Sequence, residues 1–195
     1  GVGGLDIPDD YFVLGMNTLC EKYDTCLIAD EVQSGFSRSG NFFAFQQNNI
    51  KPHVITMAKG MGNGFPIGGI LVHPDLKPKY GMLGTTFGGN HLACSASLAV
   101  LEIIKKDKLQ HHAKSMETYF RAKAEKIKGI KIKGRGLMLG LAFDFEVGPL
   151  RKSLIYEKNI FTGGSSNKNV LRILPPLTIQ KKHFDRFFEA LEDLL

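Results

Sequence analysis

The sequence predicts an α/β protein in two parts, and three observations predict it. In the first hundred residues, short apolar runs of strand length at 25–29, 54–57 and 67–72 alternate with helical or loop-like segments. The remainder follows a helix–strand–strand–helix–strand–strand–helix order, which reads as a small α+β domain. Composition divides at the same place. Residues 1–100 hold 15 of the 22 glycines and a net charge of −2, against 7 glycines and +8 in residues 101–195. One domain is therefore expected over 1–100 and a second over 101–195.

The elements follow in order. Asp9 or Asp10 can cap a helix over 7–23, because a short side-chain oxygen can accept an amide of the first turn. The run 25–29 ends in Asp30-Glu31, a buried strand followed by two carboxylates. Residues 34–40 read as loop and 42–47 as helical or irregular. A strand at 54–57 leads into Ala58-Lys59-Gly60 and a glycine cluster, and a third strand covers 67–72. A helix over 91–106 begins apolar nearly all round, which predicts burial. The Lys-rich helix 109–128, strands near 130–134 and 137–145, a helix over 149–158, a short strand at 160–162 and a strand at 170–174 follow. Pro175-Pro176 stops the last strand. The final helix, 180–195, places Phe184, Phe187, Phe188 and Leu191 on one face.

Composition excludes several classes. An apolar fraction of 43% excludes a disordered chain. No run approaches the roughly 18 apolar residues of a membrane span. Three cysteines without C-x-x-C spacing make no disulfide framework, so a reducing, cytoplasmic setting is expected. The histidines show no metal-ligand spacing, and no metal is expected. The lysines of the second half lack interleaved aromatics, so they read as a solvated face rather than a nucleic-acid or membrane patch. The first residues form no signal peptide and no initiator Met is present, so the chain is expected to start in the middle of a gene product.

In open α/β sheets, ligands bind beyond the carboxyl ends of strands. Asp30 and Lys59 each stand there, 29 residues apart, and could meet in one crevice. Asp30 could equally be a turn or cap carboxylate, and Lys59 a solvated loop lysine. The neighbours of Lys59, an apolar and Gly/Phe/Pro-rich run, instead suggest a poorly hydrated bend that would favour a nucleophilic amine. The glycines match neither a dinucleotide fingerprint nor a Walker loop.

Four stretches carry a resemblance: LIADEVQSGFSRSG (27–40), ITMAKGMGNGFPIGG (55–69), TTFGGNHLACSASLAVLE (85–102) and VLRILPPLTI (170–179). In order and spacing they resemble the subgroup III aminotransferases, the pyridoxal-phosphate enzymes that include ornithine, acetylornithine and 4-aminobutyrate aminotransferases. The resemblance covers nearly the whole chain. It implies a fold-type I PLP-transferase, with residues 1–100 as the carboxy-terminal part of the cofactor-binding large domain. It implies that Lys59 binds the aldehyde of pyridoxal 5′-phosphate and shuttles a proton, and that Asp30 faces the pyridine nitrogen. Val32 would pack on one ring face and Gln33 would bond the phenolic oxygen. Thr86 would hold the phosphate, reaching across a homodimer interface, with Thr85 as an adjacent hydroxyl easily confused with it. Arg172 would grip the substrate carboxylate through paired bonds.

Family members are about twice this length, and the absent half would supply a phosphate site and the other ring face. Departures from the family pattern are Asn63, His91 and the run Leu83-Gly84-Thr85. The reaction expected is amino transfer from N-acetylornithine, or from succinylornithine or ornithine, to 2-oxoglutarate. The alternatives are a non-catalytic fragment, a 4-aminobutyrate aminotransferase, or a racemase or mutase reusing Lys59 and Asp30. The isolated chain is expected to be inactive.

Overall fold

The computed structural model describes residues 1–82 and 84–195; the departure noted at Leu83 lies outside the described residues. Two compact units make up the chain. A glycine-rich unit comprises Pro8–Ser37 and Asn41–Lys108. A carboxy-terminal unit comprises Gly1–Ile7, Arg38–Gly40 and Leu109–Leu195.

In the glycine-rich unit, helix α1 (Asp10–Lys22) starts where the Phe12 amide donates to Asp9 Oδ1 at 2.6 Å. Strands β1 (Ile28–Asp30), β2 (Val54–Met57) and β3 (Gly69–Val72) form a mixed sheet in the order β1-β2-β3. β1 runs parallel to β2, and β3 antiparallel to it. The expectation of a buried first strand is corrected: Leu27 is buried, but Ile28 and Asp30 are exposed. Between β1 and β2, Phe36, Phe42, Phe43 and Phe45 pack with neighbouring ring centroids 4.8–5.7 Å apart. That cluster gives the turn-rich stretch a core of its own, which ends in a short 3₁₀ turn, Ala44–Asn48.

Helix α2 (His91–Lys106) has the bounds read from the sequence and is capped by Asn90, whose side chain accepts the Ala93 amide at 2.9 Å. Its burial all round is not observed. Ala93, Ser97 and Ile104 form one buried stripe, while Leu92 and Leu98 are exposed. An apolar face is buried only where an element packs on it, and this unit covers one side of α2. The helix also runs through residue 100, where composition changes, and the units part at Lys108.

The carboxy-terminal unit holds α3 (Leu109–Ala124), β4 (Lys131–Arg135), β5 (Met138–Ala142), α4 (Gly148–Tyr156), β6 (Val170–Ile173) and α5 (Lys181–Glu192). The sheet order is β4-β5-β6, antiparallel throughout. Residues 160–162 form no strand; Gly163 alone makes an isolated bridge to Arg172. Phe184, Phe187, Phe188 and Leu191 of α5 are buried as their spacing predicts. They meet Phe120 of α3, with Phe120–Phe184 and Phe120–Phe188 centroids 5.2 and 5.1 Å apart.

The segment Arg38–Gly40 is part of this unit although it lies far away in sequence. The Leu137 amide donates to the Arg38 carbonyl at 2.8 Å. The Arg38 guanidinium donates to the carbonyls of Leu137 and Pro175. Burial lowers the pKa of Arg38, yet a guanidinium stays protonated in a protein. Gly136, at φ 60°, turns the β4–β5 hairpin directly beneath Ser39 and Gly40.

Candidate active site

The parallel pairing of β1 with β2 sets Asp30 opposite Thr56, at the carboxyl ends of both strands. Asp30 Oδ1 accepts from the Val32 amide and from Thr56 Oγ1, each at 3.1 Å. Both bonds go to the same oxygen, so the carboxylate is oriented while Oδ2 keeps its lone pairs for another donor.

Beyond β2 the chain passes through extended Ala58 and then Lys59, whose φ of 45° lies in the left-handed region. A β-carbon is disfavoured there, at a cost of about 1–3 kcal/mol, so the surroundings must hold the backbone in place. They do so through a 3₁₀ turn, Lys59–Met61, closed by Met61 N–H to Ala58 O at 3.0 Å and Gly62 N–H to Lys59 O at 3.2 Å. Glycine is required at 62, because a β-carbon would stand 2.2 Å from the Phe65 carbonyl oxygen. The structure thus brings Asp30 and Lys59 to the carboxyl ends of the adjacent parallel strands β1 and β2. The poorly hydrated bend expected around Lys59 is corrected, since Lys59 and Gly60 are exposed. Local sequence sets the turn, but desolvation needs atoms packed above it.

Val32 and Gln33 follow Asp30 in the turn-rich stretch, and both are half-buried. Glu31, between Asp30 and these two, is buried at 3% exposure. Thr85 and Thr86 differ. Thr85 Oγ1 accepts the Gly88 amide at 3.1 Å and so is committed to its own loop, whereas Thr86 is exposed and makes no side-chain hydrogen bond among the described residues.

Arg172 belongs to the carboxy-terminal unit, at the centre of β6. Its partner on β5 is Gly140, and on the other side Gly163 exchanges two backbone bonds with it, both 2.9 Å. A β-carbon at Gly163 would lie 3.1 Å from Arg172 Cβ and 3.3 Å from its Nε. Glycine here leaves room for the guanidinium to lie across the strand. Arg172 Nε is buried and has no hydrogen-bond partner among the described residues. Such an uncompensated buried donor is costly unless a ligand accepts from it. Nothing in the sequence marks Glu31 beyond its adjacency to Asp30, and nothing marks Gly163 as a neighbour of Arg172, whose pairing shows only once the strand is folded.

An oriented carboxylate and a lysine stand at adjacent strand ends, and the fold that carries them is that of the fold-type I transferases. The structure is similar to that of ornithine aminotransferase from Plasmodium yoelii, with a TM-score of 0.88 at 28% identity, covering 98% of this chain and 53% of that one. Acetylornithine aminotransferase from Aquifex aeolicus is 41% identical over 198 residues, spanning all of this chain and 51% of its own length. A mitochondrial alanine–glyoxylate aminotransferase 2 homologue from Arabidopsis thaliana is 38% identical, covering 98% of this chain and 44% of its own length. The family described as aminotransferase class-III matches residues 1–195. The chain belongs to the class-III aminotransferases, and it spans about half the length of the curated relatives it matches.

Proposed function

We propose that, within a full-length protein, this chain supplies the reactive lysine, the ring-nitrogen carboxylate and a carboxylate-binding arginine of a pyridoxal-phosphate aminotransferase. The observation that carries the reading is the pair Asp30 and Lys59 on adjacent strand ends, with Asp30 Oδ2 left open by the bonds from Val32 and Thr56.

Bound there, pyridoxal 5′-phosphate supplies an aldehyde carbon and a protonated pyridine ring that draws electrons from the carbon losing its proton. Asp30 Oδ2 holds the proton on the ring nitrogen, because a nearby negative charge favours the protonated form. Val32 would shield one ring face from water, Gln33 would donate to the phenolic oxygen and Thr86 Oγ1 would donate to the phosphate. Lys59 Nζ would hold the cofactor through its aldehyde carbon, and its amine, once free, would carry the proton between the amine-bearing carbon of the substrate and that former aldehyde carbon. Arg172 receives a substrate carboxylate through two parallel N–H bonds, which satisfy its buried Nε.

The donor proposed is N-acetylornithine, with succinylornithine, ornithine and 4-aminobutyrate as competitors, and the acceptor is 2-oxoglutarate. The name of the Aquifex relative supports the first donor. We further propose a cytoplasmic homodimer with a shared site, in which Thr86 serves the partner subunit. The exposure of Lys59, Asp30 and Thr86 favours a second statement: the 195 residues alone do not turn over substrate.

The test uses the full-length protein. Borohydride treatment should fix the cofactor on the peptide containing Lys59, seen by mass spectrometry, and Lys59→Ala should abolish both trapping and amino transfer. A fully active Lys59→Ala protein would overturn the reading. Product analysis with each donor separates transfer from racemase or mutase chemistry.

A further inference from the structure

Glu31 is the most buried carboxylate of the glycine-rich unit, and the reading above gives it no task. Its side chain is buried where that of Asp30, one residue earlier, is exposed. It accepts two bonds that span the turn: Ser34 Oγ donates to Oε2 at 2.6 Å, and the Phe45 amide donates to Oε1 at 2.9 Å. Its backbone is bound as tightly. The Glu31 amide donates to the Thr56 carbonyl at 3.0 Å, and its carbonyl accepts the Gly35 amide at 3.0 Å. A β-carbon at Gly35 would stand 2.8 Å from that carbonyl oxygen, so the turn closes only around glycine.

These bonds converge on the residues assigned to the cofactor. Thr56 is shared: its carbonyl accepts from Glu31, while its hydroxyl donates to Asp30 Oδ1. Val32 and Gln33 lie between the two anchor points, Glu31 and Ser34. We propose, resting on the assignment of Asp30, Val32 and Gln33 to the cofactor, that Glu31 is a positioning residue for all three. Its buried carboxylate ties the 31–35 turn to the Phe45 amide and so holds the Asp30 carboxylate and the Val32 and Gln33 side chains at the ring. It touches neither substrate nor cofactor.

The experiment compares Glu31→Ala and Glu31→Gln in the full-length protein. The readouts are the pyridoxal-phosphate dissociation constant, from titration of the apo-protein, the KM for the amino donor and the melting temperature of the apo-protein. Glutamine still offers an oxygen to the Phe45 amide, and its NH₂ can donate to Ser34 Oγ. Glu31→Ala should weaken cofactor binding about 10-fold or more, the scale of a lost buried acceptor. The donor KM should stay unchanged, because Arg172 is untouched, and Glu31→Gln should bind cofactor as the parent does. Parent-like cofactor binding by Glu31→Ala, or equal weakening in both variants, overturns the proposal. Should Glu31→Ala fail to fold, Glu31→Asp, which can reach only one of the two partners, replaces it. Weaker cofactor binding at an unchanged melting temperature then supports the proposal, and parent-like binding overturns it. A parent protein that binds no cofactor at Lys59 would refute the functional reading itself, a different and separable result.

Discussion

At the scale of single residues, glycines carry much of the geometry. Gly136 has φ 60°, and a β-carbon there would lie 2.4 Å from the Ser39 carbonyl carbon and 2.5 Å from the Arg38 carbonyl oxygen. Both neighbours are backbone and cannot swing aside. Gly136→Ala is expected to cost about 1–3 kcal/mol from the left-handed conformation, plus the displacement of Arg38–Gly40. Urea unfolding of the full-length protein checks this, with a lowered midpoint expected. Gly163 acts differently, because its neighbour is the Arg172 side chain. Gly163→Val should raise the KM for a carboxylate substrate while leaving cofactor trapping at Lys59 intact; steady-state kinetics with the borohydride assay separates the two. Arg172 was picked out only through the resemblance, whereas the strand-end positions of Asp30 and Lys59 were legible because an apolar run stops at each. Glu31 was not, since its task depends on a Phe45 amide 14 residues away.

At the scale of elements, α3 and α5 show how core and surface act together. Phe120 is fully buried against Phe184 and Phe188, so Phe120→Ala should cost about 3–5 kcal/mol. Above that core, Asp185 accepts from Tyr119 Oη and pairs with Lys123 Nζ at 2.6 Å. The bond from Lys123, and then that from Tyr119, lowers the pKa of Asp185, while the bond to Asp185 raises those of Lys123 and Tyr119. A lowered carboxylate pKa contributes stability above its ordinary value of 3.8 that is lost as the pH falls through the lowered value. The raised values contribute stability below about 10 that is lost as the pH rises through them. Asp185→Asn should therefore flatten the pH dependence of the melting temperature by lowering it slightly near neutrality and leaving it unchanged at the acid and alkaline extremes, a small effect for so exposed a cluster. Helix bounds and the α5 stripe were readable because caps and the 3.6-residue period are local. The expected strand at 160–162 was not realised, because Ile160, Phe161 and Thr162 satisfy a strand pattern without any strand partner to pair with among the described residues.

At the scale of the whole molecule, the two units differ in how much apolar surface each hides. In the carboxy-terminal unit, Leu137, Leu139, Leu141 and Leu171 are fully buried and share one core with Phe120 of α3, Leu154 of α4 and Phe184 of α5. In the glycine-rich unit, α1 has no buried residue, and Ile70, Leu71 and Val72 of β3 are exposed. Buried apolar area is the main favourable contribution to folding, so the two units should not be equally stable. Hydrogen exchange on the isolated 195-residue chain should show slow amides in β4–β6 and α5 and fast amides in β1–β3 and α1. An apolar dye should bind the same chain, as expected for exposed patches beyond a few hundred Å². In the full-length protein the amides of β1 and β2 should become slow, because Asp30 and Lys59 can be held in register only if their strands do not open. If the amides of β1 and β2 exchange as slowly in the isolated chain as in the full-length protein, the glycine-rich unit is self-sufficient. The exposure of Lys59 would then be a property of the site rather than of its missing cover.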